Sequence, residues 1–172
     1  MHQRLRHDPS KSLVGFLVGD VHYAVPVARV KEITNPMPLV ELPHAPASVA
    51  GVADLRGELC AVVDLRQRFG LSPSMRTRKT KWIVVDVETQ RAALVVDAVT
   101  EVFGTGGTDL RAPPSLGGGD DRRGIAGVTN HAGTLVFVLD TTRIRDLVDP
   151  IVLHEELLPG PRISALPPET RS

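Results

Sequence analysis

GVADLRGELCAVVDLRQRFGL, residues 51–71, holds two short apolar runs joined by a polar connection. Runs of this length that are rich in valine and leucine predict β-strands, and a connection that ends in Gly57 predicts a hairpin turn. Arg56 stands at the tip of that turn, where glycine, asparagine and aspartate are the favoured residues. The arginine therefore needs a reason other than backbone geometry.

The sequence repeats itself in two blocks that keep the same order. Residues 12–33 align with 81–102 at an offset of 69, and residues 51–69 align with 127–145 at an offset of 76. Further short apolar runs, such as KWIVVDV and GTLVFVLD, follow at intervals that leave little room for amphipathic helices. The pattern predicts a mainly β protein made of two copies of one unit, which share burial because ~70 residues alone form a marginal domain.

Residues that match between the copies are interpreted as structural. An Asx residue opens each hairpin connection and a glycine closes it, and an aspartate at the end of the following strand is placed to cap a short helix. These turn and cap residues are Asp54, Gly57 and Asp64 in the first copy and Asn130, Gly133 and Asp140 in the second.

Residues that differ between the copies are where function is expected. Arg56 aligns with Ala132, and Leu55 aligns with His131. Because the second turn is built without an arginine, the scaffold does not require Arg56. We therefore expect this side chain to serve recognition.

The composition excludes several classes of protein. The 20 basic residues equal the 20 acidic ones, which argues against nucleic acid or an anionic membrane as a partner. Cys60 is the single cysteine, so an internal disulfide and a cysteine-based zinc site are excluded. No apolar run approaches the ~18 residues of a membrane helix, and the first residues lack the apolar core of a signal peptide. A soluble, cytoplasmic protein is expected.

The sequence carries no catalytic constellation. FGTGGTD, residues 103–109, is rich in glycine but fits neither a dinucleotide-binding fingerprint nor a P-loop. The six histidines are dispersed, without the spacing that places two imidazoles on one helical face. We expect no catalytic residue, no metal and no cofactor, and a small enzyme of unknown type remains as an alternative.

Four blocks in order resemble the CheW family, the coupling proteins of bacterial chemosensory arrays. They are GFLVGDVHYAVPVARVKEI (15–33), the stretch 51–71, KWIVVDVETQRAALVVDAVTEVF (81–103) and GIAGVTNHAGTLVFVLDTTRI (124–144). The resemblance implies two pseudo-repeated, five-stranded SH3-like β-barrel subdomains with short helices. It covers a domain of two interleaved β subdomains over 12–148. Outside that domain, the charge- and proline-rich composition predicts a flexible N-terminal tail over 1–11, and helical spacing of apolar residues followed by a proline-rich stretch predicts a short helix and a flexible tail over 149–172.

The resemblance also implies partners and no catalytic activity. CheW proteins bind the cytoplasmic tip of methyl-accepting chemoreceptors in a groove between the subdomains, and they bind the regulatory domain of the histidine kinase CheA. They associate with receptor arrays at the inner face of the membrane without inserting into it. A paralogue that binds only one of these partners, as a scaffold or inhibitor of the kinase, is the alternative.

Site residues are carried over position by position. Receptor contacts are implied at Val30, Ile33, Gly51, Val52 and Arg56. A weaker kinase-binding assignment falls on Glu32. The family's usual asparagine before the arginine is Asp54 here, which adds a negative charge that could pair with Arg56.

Overall fold

The computed structural model describes residues 11–88, 90–104, 110–112 and 124–144. Within them the chain forms ten strands, a one-turn helix α1 (Leu65–Arg68) and two 3₁₀ turns (Val27–Arg29 and Thr141–Ile144). The strands are β1 (Ser12–Val18), β2 (Val21–Pro26), β3 (Val30–Thr34), β4 (Val49–Leu55), β5 (Glu58–Asp64), β6 (Lys81–Val87), β7 (Gln90–Val96), β8 (Ala98–Gly104), β9 (Ile125–His131) and β10 (Thr134–Leu139). The tails predicted over 1–11 and 149–172 lie outside the described residues, except for Lys11.

The strands form two five-stranded sheets, which confirms the predicted fold class. The order is β8-β1-β2-β10-β9 in the first sheet and β3-β6-β7-β5-β4 in the second. The first copy of the repeat supplies β1 to β5 and the second supplies β6 to β10. Each sheet therefore combines the first two strands of one copy with the last three of the other, and the parallel pairs β2–β10 and β5–β7 are among the junctions.

The two sheets share one apolar core. Phe16 and Tyr23 of the first sheet pack in the same cluster as Ile83 and Leu94 of the second. The opposite face of the second sheet is covered as well, since Trp82 and its neighbours pack against side chains of the β3–β4 connection. Burial on both faces explains why these strands are nearly continuous apolar runs instead of alternating patterns.

In each copy, the connection that precedes the fourth strand forms a backbone bridge with that strand. In the first copy this connection runs from β3 to β4, and we call it the crossing segment. Val40 and Val52 exchange two backbone hydrogen bonds of 2.8 Å, and Arg111 and Val128 form the equivalent bridge in the second copy. Val52 and Val128 are aligned residues of the repeat, so the duplication extends to this contact. The segment before β4 is thereby held against the edge of the second sheet.

A partly buried ion pair joins the two sheets. Arg66 of α1 donates to Asp97, at the point where the chain passes from β7 to β8, over 2.5 Å. Asp97 also accepts the backbone N–H of Gly19 in the β1–β2 turn at 2.7 Å. Both side chains are less than a third exposed, so the pair ties the second sheet to a turn of the first.

Candidate functional site

The β4–β5 hairpin presents Arg56 from a turn with left-handed backbone. Its two central residues, Arg56 and Gly57, have φ angles of 56° and 88°. These values are typical of a type I′ hairpin turn, whose twist matches that of the flanking strands. Oδ1 of Asp54 accepts the N–H of Gly57 at 2.8 Å, which closes the turn from the side of β4.

The second copy has the same turn with alanine at the tip. Ala132 and Gly133 have φ angles of 51° and 80°, and Oδ1 of Asn130 accepts the N–H of Gly133 at 3.1 Å. The turn therefore forms with either residue in the left-handed position. The helix caps are also repeated, because the carboxylates of Asp64 and Asp140 accept backbone N–H groups of the turns that follow them.

Glu32, and not Asp54, is the ion-pair partner of Arg56. Nη2 of Arg56 lies 3.1 Å from Oε2 of Glu32, and the Arg56 side chain is 83% exposed. Asp54 is occupied by the turn, so the local pair considered from the sequence is not the one that forms. Since β3 and β4 are the two edge strands of the second sheet, the Arg56 side chain reaches from the hairpin at one edge to the strand at the other.

Strand β3 divides its side chains between two faces. Val30 pairs in register with Val85 and Ile33 with Ile83, and both of these partners belong to the core between the sheets. The side chain of Ile33 therefore leans toward the inter-sheet side while remaining 42% exposed. Glu32 points the other way, toward Arg56, so one edge strand offers apolar contact on one face and a charged pair on the other.

Gly51 and Val52, two of the residues assigned to receptor contact, lie under the crossing segment. Val52 is 6% exposed, and a Cβ on Gly51 would lie 2.3 Å from the carbonyl oxygen of Val40. Both residues are therefore covered by the crossing segment in the unbound chain, and their assignment to receptor contact stays a prediction. Their matches Gly127 and Val128 occupy the same place in the second copy, which supports a scaffold role for the pair.

Sequence reasoning missed a hydrogen-bonded histidine–glutamate pair in the first sheet. Nε2 of His131 lies 3.0 Å from Oε1 of Glu101, and the imidazole stacks on Phe103 with ring centroids 4.0 Å apart. Glu101 is the repeat equivalent of Glu32, and His131 adjoins Ala132, the equivalent of Arg56. The alignment of Glu32 with Glu101 was the signal that could have indicated this pair. It was missed because the basic partner, His131, is one residue before the position that aligns with Arg56.

The described residues offer little for covalent chemistry. Burial raises the pKa of the Cys60 thiol to about 12, so the nucleophilic thiolate is disfavoured. No group of three or more histidine, cysteine or acidic side chains within these residues is arranged to hold a metal ion. No helix in the described part of the chain is long and apolar enough to cross a membrane.

Two sheets that exchange strands between the copies define a duplicated, mainly β scaffold. Its edge strand β3 offers an exposed apolar side chain and an ion-paired glutamate. The family model described as the CheW-like domain matches residues 12–148, so the chain belongs to the CheW family of chemotaxis scaffold adaptors. A chemotaxis protein CheW of Rhizobium meliloti (strain 1021) is 31% identical over 130 residues, which are 76% of this chain and 84% of that protein.

Two further comparisons agree with this membership. A probable chemotaxis protein CheW of Rhizobium etli is 30% identical over 118 residues, which are 69% of this chain and 76% of that protein. The crystal structure of the scaffolding protein TtCheW from Thermoanaerobacter tengcongensis superposes with a TM-score of 0.70 at 25% identity, over 81% of this chain and 90% of the other. The likeness supports the same arrangement of two sheets.

Proposed function

We propose that this protein is a non-catalytic adaptor that joins the cytoplasmic tip of chemoreceptors to the regulatory domain of the histidine kinase CheA. The observation that carries the proposal is Arg56, which the scaffold does not require and which is presented 83% exposed by a closed turn. Membership of the CheW family supplies the class of partner.

The receptor surface is proposed to wrap around the free edge of β3, with the apolar side chains on its inter-sheet face and the tip of the β4–β5 hairpin on the opposite face. Val30 and Ile33 supply apolar contact on the inter-sheet side of β3, where a helical hairpin could lay an apolar stripe. Arg56 then fixes the register by donating to a carboxylate or to carbonyls at a helix end. Gly51 and Val52 contribute indirectly, because they hold the crossing segment against β4, the strand that leads to the hairpin tip.

Glu32 has two roles in this proposal: it pairs with Arg56, and it is the residue assigned to kinase binding. Its carboxylate holds the guanidinium of Arg56 at 3.1 Å before any partner binds. A kinase contact through Glu32 would therefore adjoin a receptor contact through Arg56. Replacing Glu32 by glutamine removes the charge and retains the size, so the two binding reactions can be compared on the same variant.

The test is a pair of calorimetric titrations, one with a receptor-tip fragment and one with the CheA regulatory domain. A central interface arginine contributes roughly 2 kcal/mol on truncation, so Arg56→Ala is expected to weaken receptor binding about 30-fold. Arg91→Ala is the control, because Arg91 is also an ion-paired arginine of the second sheet, with its side chain 42% exposed. Its receptor affinity should stay within about threefold of the parent's.

The outcomes separate the alternatives. Equal receptor affinity of the parent and Arg56→Ala proteins would remove Arg56 from the site. Binding of only one partner would favour the paralogue that acts as a scaffold or inhibitor, and binding of neither would overturn the adaptor proposal. Weaker kinase binding by Glu32→Gln, with receptor binding unchanged, would support the kinase-binding assignment of Glu32.

A further inference from the structure

The connection between α1 and β6 is strongly basic. Between Asp64 and Asp86 the chain contains six basic residues and no acidic one. We call residues 71–80 within this connection the basic loop. Residues 71–79 are all exposed, and none of the ion pairs found among the described residues uses Arg76, Arg78 or Lys79.

The basic loop is held at both ends. The carbonyl oxygen of Ser72 accepts a hydrogen bond from Nε of Arg66 at 2.9 Å. Thr77 and Thr80 form a closed turn, in which the N–H of Thr77 donates to Oγ1 of Thr80 at 2.9 Å and the N–H of Thr80 donates back to the carbonyl of Thr77. Nζ of Lys81 reaches both Asn35 and the carbonyl of Arg78. The three cations are therefore displayed from an ordered backbone.

The described chain ends beside this connection. Ile144 lies in the core between the sheets, and its 3₁₀ turn packs against β6, the strand that follows the basic loop. Cβ of Arg143 and Nη2 of Arg68 lie 3.3 and 3.5 Å from the position that a Cβ on Gly124 would take. The chain beyond Ile144 thus begins close to α1, from which the basic loop departs.

The segment that follows has the opposite charge. Residues 145–158, RDLVDPIVLHEELL, contain four carboxylates, at positions 146, 149, 155 and 156, against a single arginine. We call these residues the acidic tail. The twelve residues from 145 to the last carboxylate at 156 span about 18 Å as a helix and about 40 Å when extended. The radius of gyration of a domain of this size is about 14 Å. The acidic tail can therefore reach the basic loop in either conformation.

We propose that the acidic tail docks on the basic loop of the same chain, through ion pairs of its carboxylates with Arg76, Arg78 and Lys79. Covalent linkage raises the effective concentration of the acidic tail at the basic loop to the millimolar range, which favours it over a free acidic partner. The contact screens an exposed cationic surface of a protein whose total charge is zero. This inference is independent of the proposed receptor and kinase binding.

Zero-length carbodiimide cross-linking of the full chain tests the proposal, because the reagent joins a lysine amine only to a carboxylate in contact with it. The four lysines of the chain include Lys79 and Lys81 at the basic loop. At low salt, peptides that join either of them to residues 146–156 are expected. The link between Lys31 and Asp86, which lie 3.1 Å apart, is the internal positive control.

Two variants and one mixture complete the experiment. The double change Arg76→Gln and Arg78→Gln, or salt at about 0.5 M, should lower the basic-loop link about tenfold while the Lys31–Asp86 link is much less affected. The change D146N/D149N/E155Q/E156Q should abolish it. A mixture of ¹⁴N- and ¹⁵N-labelled protein should give no mixed-isotope peptide.

Three results would overturn the proposal. The first is the absence of links between the acidic tail and the basic loop while the control link forms. The second is acidic-tail links that go equally to Lys11 or Lys31. The third is mixed-isotope links, which would place the acidic tail on a second copy of the chain. A basic loop that cross-links only to an added acidic receptor fragment falls under the first result and would indicate that such a partner is the occupant.

Discussion

Replacing Gly51 by alanine tests whether this residue belongs to the scaffold or to a binding surface. The new Cβ would lie 2.3 Å from the carbonyl oxygen of Val40 and 2.7 Å from Cδ1 of Leu39, so the crossing segment has to move. That movement breaks the two backbone hydrogen bonds between Val40 and Val52, each contributing about 1 kcal/mol net. It also loosens the packing of Leu39, at a further cost of about 1 kcal/mol.

The φ of 157° at Gly51 is one that alanine rarely adopts, so the gain from the stiffer unfolded chain is cancelled by backbone strain and a net destabilisation of at least about 2 kcal/mol is expected. For a domain of this size, the melting temperature followed by circular dichroism should fall by about 6–10 °C. Gly127→Ala is the matched control, because the equivalent Cβ would be 3.0 Å from its nearest neighbours. It should lower the free energy of unfolding by no more than about 1 kcal/mol.

Receptor affinity measured well below both melting temperatures completes the test. If Gly51 acts through the crossing segment, the folded Gly51→Ala protein should bind a receptor-tip fragment with affinity within about threefold of the parent's. An unchanged melting temperature together with a tenfold loss of receptor affinity would refute the scaffold reasoning and return Gly51 to the contact surface.

Three further predictions concern the scaffold. Asp97→Ala removes the partner of Arg66 and of a turn N–H, so chemical denaturation should show a loss of about 2–3 kcal/mol; a loss under 0.5 kcal/mol would mean that the sheets are not joined there. Asp54→Ala and Asn130→Ala remove equivalent turn bonds and should each lower the unfolding free energy by about 1 kcal/mol, whereas a difference above that amount would contradict the equivalence of the two turns. Cys60 should resist alkylation at pH 8 until the protein unfolds, and because burial raises its pKa above the unfolded value, stability should fall as the pH rises from about 9 toward 12; rapid labelling of the native protein would contradict its burial.

The repeat in the sequence predicted the local structure correctly. Aligned residues adopt the same backbone and make the same local hydrogen bonds, as the turns that end in Gly57 and Gly133 show. These contacts join residues two or three positions apart, so a short sequence window contains both partners. The difference between Arg56 and Ala132 also marked the exposed tip correctly, since both residues occupy the same left-handed position.

The repeat did not predict contacts between residues that are far apart in the sequence. The partner of Arg56 is Glu32, 24 residues away and on the opposite edge strand of the same sheet. Asp54, which is only two residues away in sequence, instead closes the turn. The burial of Gly51 likewise depends on Val40, which reaches it only because the crossing segment pairs with β4.

The sequence by itself determined the strands, the duplicated order, the turns and caps, and the arginine that the scaffold does not require. Each of these depends on local hydrogen bonding or on apolar periodicity, which nearby residues specify. Only the tertiary structure decided which strands the two copies exchange, which charge faces Arg56, and that Gly51 and Val52 lie covered. The physical reason is that pairing across sheet edges and burial on both faces of a sheet arise only when strands far apart in the chain are brought together.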